Sequence, residues 1–257
     1  MRTALLLGLA VLLAGCGTKA RVTAPPPSPD VSPSRSDVGD MRVCRDGTIH
    51  TFASNTTAYT GLAPSGAVAY DAPGGAVVAR FTRLNANGYP AYFGVVAERL
   101  GADCNANWYR VELPIRPNGT TGWVAASALR LRAVPMRIVV HVSTRRLTLF
   151  DHGRQVLAAT VAVGSPATPT PTGRYYVNQR LVPSDTSGPY GPAALGISAY
   201  SPVLTGWTQG GPVAIHGTNE PWSIGQAVSN GCIRLPNATL SRLFSEVDAG
   251  TPVIIRA

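Results

Sequence analysis

Apolar positions fall along this chain in four distinct patterns. From Ala4 to Ala14 they form a charge-free run behind Arg2. That run is far shorter than the roughly 20 apolar residues that span a bilayer, so it predicts the core of a secretion signal over residues 1–15. From Cys16 to Asp40 there is almost nothing to bury, and Pro25, Pro26, Pro27, Pro29 and Pro33 stand among Ser, Thr and Asp. Residues 16–40 therefore read as an extended tether, reaching tens of ångströms at about 3 Å per residue.

From Met41 to Arg132 short apolar runs are broken by Gly, Pro and Asn. Ala67–Tyr70, Ala76–Ala79, Tyr92–Val96, Trp108–Leu113 and Gly122–Val124 are strand candidates at a spacing that predicts a small all-β barrel over residues 41–132. From Met136 the alternation continues. Ile138–Val142, Arg145–Phe150 and Val156–Val163 form a meander with a turn at Asp151-His152-Gly153, followed by strands at Tyr175–Val177, Ala194–Tyr200 and Thr251–Arg256. One segment has helical period: Asn237 is placed to cap a helix from Ala238 to Val247, with Leu240, Leu243, Phe244 and Val247 on one face and Gly250 as its stop. The predicted class is mainly β, with a second domain at 136–257.

Composition narrows the function classes only modestly. About 45% hydrophobic and 14% charged residues fit a folded globular chain, and the net charge of +9 comes almost wholly from arginine, Lys19 being the only lysine. Such a surface suits acidic wall polymers or anionic headgroups. Nucleic acid is not an expected partner, because the chain reads as exported and has no basic run with interleaved aromatics.

The four cysteines divide by context. Leu13-Ala14-Gly15-Cys16 resembles the lipobox of bacterial lipoproteins, which implies cleavage before Cys16, lipidation of its sulfur and an extracytoplasmic protein anchored to the membrane, facing the cell wall. Cys44 and Cys104 lie in one region of a chain bound for an oxidising compartment. They are expected to form a disulfide, the alternative being two buried thiols.

Cys232 is different. Val213-Ala214-Ile215 delivers His216-Gly217-Thr218 at a strand exit, and the later run Ser229-Asn230-Gly231-Cys232-Ile233-Arg234-Leu235 sets a thiol behind a permissive glycine. A thiolate is a strong nucleophile and leaves readily from a thioester, but an ordinary thiol is mostly protonated at neutral pH and needs a base. His216 is the candidate general base and acid, and Arg234 can stabilise charge on sulfur or hold a substrate carboxylate. Asn230 hydrogen-bonds but is no base. Tyr190, Trp207 and Trp222 are aromatic candidates for a substrate channel, with Ser187–Pro192 as a covering loop. No cofactor is called for, and the spacing of His216, Cys232 and the other histidines does not favour a metal.

These residues resemble the L,D-transpeptidase (YkuD-like) catalytic domain, whose mark is a His-Gly strand end followed by Ser-His-Gly-Cys-Ile/Val-Arg-Leu/Met. Gly225 and Thr170-Pro171-Thr172-Gly173 before Tyr175 also fit its pattern, whereas Asn230 departs from the common histidine. The resemblance spans about residues 136–257. It implies a Cys232 thioester formed on a peptidoglycan tetrapeptide stem, oxyanion stabilisation by backbone N–H groups near Gly231, and resolution by an amine as a 3→3 crosslink. Gly217, Thr218, Ser229 and Asn230 are then expected beside the substrate, with carbapenems as covalent inhibitors. L,D-carboxypeptidation with water as acceptor, or an inactive wall-binding lipoprotein, are the alternatives. The preceding region, about residues 64–131, resembles a bacterial SH3-like domain, which implies a module that assists binding to wall peptide.

Overall fold

The computed structural model describes residues 21–22, 45–52 and 54–257. The secretion signal, Cys16 and Cys44 lie outside the described residues, as does most of the tether. Arg21 and Val22 of the tether pair antiparallel with Val182 and Leu181. Among the described residues no helix is long and apolar enough to cross a membrane. Cys232 is the free thiol there and Cys104 is not one.

The chain is mainly β. Its C-terminal part is one sheet whose strands run, edge to edge, Arg154–Thr160, Arg146–Asp151, Met136–His141, Pro252–Arg256, Gly173–Val182, Ala194–Tyr200, Pro212–His216 and Ile233–Arg234. The first three form the expected meander, because alternating residues such as Ile138, Val140, Leu147 and Leu149 are buried on one face. The long Gly173–Val182 strand is shared: its first half pairs with Pro252–Arg256 and its second with Ala194–Tyr200. That sharing joins the meander to the strands that carry His216 and Cys232.

The helix spans Asn237–Glu246 and buries Leu240 and Leu243 against the sheet, with Val247 just beyond it. Each such side chain is worth roughly 1.5–3 kcal/mol, enough to hold a short helix that would be marginal alone. Arg180 closes its C-terminal end by donating to the Phe244 carbonyl at 2.7 Å, its guanidinium lying 4.4 Å from the Phe244 ring centre. The expected cap differs. Pro236 occupies the N-cap position without a side-chain bond, and Asn237 is the first helical residue.

The N-terminal part is a separate antiparallel sheet, in the order Val77–Phe81, Ala67–Tyr70, Thr121–Ala125, Ala106–Glu112, Tyr92–Leu100, Ala58–Leu62, Arg130–Val134. Its core gathers Phe93, Val95, Val111, Leu113 and Val124. Trp123 is buried, while Trp108 is half-buried and edge-on to Tyr70. Ala126–Ala128 is a single 3-10 turn before the closing strand.

Polar contacts join the two sheets. The Tyr176 hydroxyl donates to the Tyr92 carbonyl at 2.9 Å, Arg116 donates to the carbonyls of Ser201 and Gly210, and Asn118 exchanges two bonds with the Tyr200 backbone.

Candidate active site

The Pro212–His216 strand lies parallel to Ile233–Arg234, with Ile215 opposite Ile233 and His216 opposite Arg234. Ile215 and Ile233 are fully buried in the core. Because side chains alternate across a strand, His216, Cys232 and Arg234 share the opposite face. Two distant motifs thus meet through ordinary strand register.

The His216 ring is 4% exposed, and its Nδ1 lies 2.5 Å from the Gly217 carbonyl. A carbonyl only accepts, so Nδ1 carries the proton and Nε2 presents a lone pair. Burial is the chief reason the imidazolium is disfavoured, with the nearby Arg234 charge acting in the same direction against the Gly217 bond. Together they hold the His216 pKa down at about 4. Burial pushes the Cys232 thiol up, and a backbone hydrogen bond with Ala214 and the Arg234 charge only partly offset this. At neutral pH the two groups are therefore an uncharged thiol and an uncharged imidazole.

Arg234 is itself fixed by Glu220, whose Oε2 accepts from Nη1 at 2.5 Å, while its buried Nε has no hydrogen-bond partner. The Tyr190 ring packs edge-on to His216 with centres 4.9 Å apart, and its hydroxyl is close enough to Cys232 for a thiolate to raise its pKa, second to burial. Gly191 lets that loop close on the strand: its φ is +61°, and a Cβ would meet the Gly217 Cα at 2.8 Å.

The loop before Cys232 is clamped from beneath. Thr170 Oγ1 donates to the Gly231 carbonyl at 2.9 Å and accepts the Gly164 N–H at 2.8 Å. Thr168 Oγ1 and the Ser165 N–H both donate to the Ser229 carbonyl. Ser229 Oγ donates to the Cys232 carbonyl at 2.6 Å and accepts the Gly231 N–H at 3.2 Å. The Gly231 N–H, expected to face an oxyanion, is thus directed at Ser229 instead.

The Thr218 N–H donates to Asn237 Oδ1 and its hydroxyl accepts the Glu220 N–H. Asn230 is exposed on the loop, and Trp222 is 65% exposed on the 3-10 turn Pro221–Ser223 that follows Glu220. Trp207, 53% exposed, belongs to the connection entering Pro212, at the far end of the strand from His216, so it does not line this site. Sequence reading missed Glu220 and Asn237 as site residues. Thr170 was visible only as part of a Thr-Pro-Thr-Gly segment, with no sign of what its hydroxyl bridges. Among the described residues no cluster of three or more His, Cys, Asp or Glu side chains could hold a metal ion.

A family model described as the L,D-transpeptidase catalytic domain (YkuD) matches residues 135–255. The YkuD protein of Bacillus subtilis is 38% identical over 122 residues, 48% of this chain and 66% of that protein. YqjB of the same organism is 30% identical over 128 residues, covering 46% of this chain and 69% of that protein. Among solved structures, L,D-transpeptidase 3 from Mycobacterium tuberculosis in complex with a faropenem-derived adduct is similar at 20% identity and TM-score 0.39, covering 56% of this chain and 76% of that one. The chain thus spans about two thirds of the length of these Bacillus relatives.

Proposed function

The chain belongs to the L,D-transpeptidase (YkuD) family, and on that premise we propose that it is a peptidoglycan L,D-transpeptidase acting through a Cys232 thioester. The observation that carries the reading is the shared strand face of His216 and Cys232, with the imidazole Nδ1 tied to a carbonyl and Nε2 left as base.

Cys232 Sγ attacks the amide carbonyl after the third residue of a tetrapeptide stem. A carbon–sulfur bond forms as the thiol proton passes to His216 Nε2, and that proton then goes to the leaving D-alanine amine as the carbon–nitrogen bond breaks. The side-chain amine of another stem's third residue attacks the thioester, and its proton returns through His216 to the sulfur, leaving a 3→3 crosslink. Because thiol and imidazole are both neutral at rest, proton transfer accompanies attack. Arg234 favours the developing thiolate. The backbone N–H of Cys232 serves as an oxyanion donor, and that of Gly231 joins it if its bond to Ser229 yields; one strong donor of this kind is worth roughly 3–4 kcal/mol.

Tyr190 forms one wall of the entry beside His216, and Gly217, Thr218, Ser229 and Asn230 shape the pocket around the stem. The lipobox-like Leu13–Cys16 supports an exported lipoprotein tethered to the membrane by residues 16–40. The oxidising location supports a Cys44–Cys104 disulfide. The strand pattern around Trp108 and Trp123 supports an SH3-like module that steadies the wall peptide.

Intact-mass measurement after exposure to a carbapenem tests the nucleophile: the wild-type chain gains one adduct and Cys232→Ser gains none. A normal adduct on Cys232→Ser would remove Cys232 from its role. Purified muropeptides then separate acceptors, since dimers indicate transpeptidation whereas monomers shortened by one residue indicate carboxypeptidation.

A further inference from the structure

The outer face of the C-terminal sheet carries a row of basic side chains that the catalytic site does not use. His141 lies opposite Arg146 on one neighbouring strand and opposite Arg256 on the other, and Arg146 in turn lies opposite Thr160. Residues paired across strands point to the same side of a sheet, and their sequence neighbours Val140, Leu147 and Ile255 take the other side into the core. Arg256, His141, Arg146 and Thr160 therefore stand side by side, one per strand, over about 14 Å. Arg146, Arg256 and Thr160 are exposed and His141 is half-buried. The opposite end of the same face is covered by the N-terminal part, where Arg137 donates to Asn55 Oδ1 at 3.0 Å.

Such a row costs stability, because side chains of like charge directly opposite one another repel. Nothing within the fold offsets it. Arg132, Arg174, Arg180, Arg234 and Arg242 each have a carboxylate partner, whereas among the described residues Arg146, Arg256 and His141 have none. Arg145 adds a third guanidinium beside the row, also without a carboxylate. It closes the hairpin through its N–H to the Val142 carbonyl and holds a left-handed φ of +51°, at a turn position that favours glycine. Repulsion and backbone strain kept together at one exposed end of a sheet point to an anion from outside the chain.

The shape of the row selects among anions. It is open to solvent and spreads its donors over several strands, so one free ion engages part of it, whereas a surface that carries many phosphates engages all of it. We propose that this row docks the chain on anionic phospholipid, with Arg146, Arg256 and His141 meeting headgroup phosphates. The choice of a membrane over a soluble polyphosphate rests on the exported-lipoprotein reading, and the net charge of +9 favours the same surface. In sheet order the His141 strand stands four steps, about 19 Å, from the strand of His216. Docking at this end leaves the catalytic pocket clear.

Sedimentation with vesicles tests the row. The processed chain, residues 16–257 with Cys16→Ser so that no acyl chain contributes, binds vesicles of phosphatidylglycerol and phosphatidylcholine in equal parts but not vesicles of phosphatidylcholine alone. One arginine near an anionic surface is worth about fivefold in binding, so Arg146→Gln with Arg256→Gln weakens it about twentyfold. Removing the same charge from the exposed Arg83 and Arg130 of the N-terminal part weakens it less than about threefold, and Arg146→Lys with Arg256→Lys retains most of it. Equal losses from the two glutamine pairs overturn the proposal, because net charge and not the row would then set binding. Absence of wild-type binding overturns it as well, and so does a lysine pair as weak as its glutamine counterpart. Binding of a soluble glycerol phosphate polymer that the first glutamine pair abolishes, without vesicle binding, overturns it in favour of a polymer site. An unmodified Cys16 in chain recovered from cells would sink the lipoprotein reading alone and leave the vesicle result standing.

Discussion

The side-chain oxygen of Asn237 accepts the backbone N–H of Thr218 at 2.7 Å, so the first residue of the C-terminal helix holds the strand exit that presents His216. The same oxygen stands 2.4 Å from where a Cβ would lie on Gly191 or Gly217. Helix, Tyr190 loop and catalytic strand therefore converge on one amide. Asn237→Ala leaves the Thr218 N–H without its partner, a loss of roughly 1–3 kcal/mol for a group shielded from water. Denaturant titration is expected to show that loss, together with a slower carbapenem acylation. An unchanged acylation rate in a destabilised protein would mean that Asn237 supports the fold but not the position of His216.

Thr170 makes an equally specific demand. Its hydroxyl bridges the Gly164 N–H and the Gly231 carbonyl at a site only 4% exposed. Thr170→Val keeps the shape but strands both groups, costing roughly 1–3 kcal/mol for each one left unpaired. The Gly231-Cys232 peptide then loses its anchor. We expect kcat to fall by tenfold or more with little change in KM, and Thr170→Ser to restore most of it. Equal kcat in wild type and Thr170→Val would show that the clamp has no part in positioning the nucleophile.

These two residues also mark what the sequence could and could not disclose. The Arg146–Asp151 strand was legible because period-two burial leaves a local trace, Ala194–Tyr200 because a strand buried on both faces reads as a short apolar run, and the helix because Leu240, Leu243 and Val247 recur at helical spacing. His216 and Cys232 were legible as motif residues. Their meeting depends on a parallel register between strands separated in sequence, which no local pattern encodes. Asn237 looked like a cap because local rules reward Asn before an apolar run, yet Pro236 takes the cap position and tertiary packing turns the amide to Thr218. Glu220 pairs with Arg234 across fourteen positions. Asn85 reaches Gln179 across ninety-four. Such contacts belong to the folded surface and leave no periodic signature.

The depressed pKa of His216 makes stability depend on pH in a defined direction. The unfolded imidazole titrates near its ordinary 6.5 and the folded one at about 4, so between those values the unfolded chain binds a proton that the folded chain does not. Stability therefore falls as pH drops from 6.5 to 4, by at most about 3 kcal/mol from this group. Denaturation midpoints measured across that window should decline less steeply in His216→Gln than in the wild type. Parallel profiles would contradict a neutral, buried His216.

The same burial sets the reactivity of the thiol. With Cys232 raised above its ordinary 9.0 and His216 unprotonated, no thiolate–imidazolium pair exists at neutral pH. Alkylation by iodoacetamide should climb through pH 9 and beyond, with no plateau between pH 6 and 8. Arg234 lowers the thiol pKa, so Arg234→Gln should shift that climb further upward and slow alkylation at any fixed pH below it, whereas Arg234→Lys, which keeps the charge, should shift it less. A neutral-pH plateau in the wild type would mean that a preformed ion pair carries the nucleophile, and proton transfer during attack would then have to be abandoned.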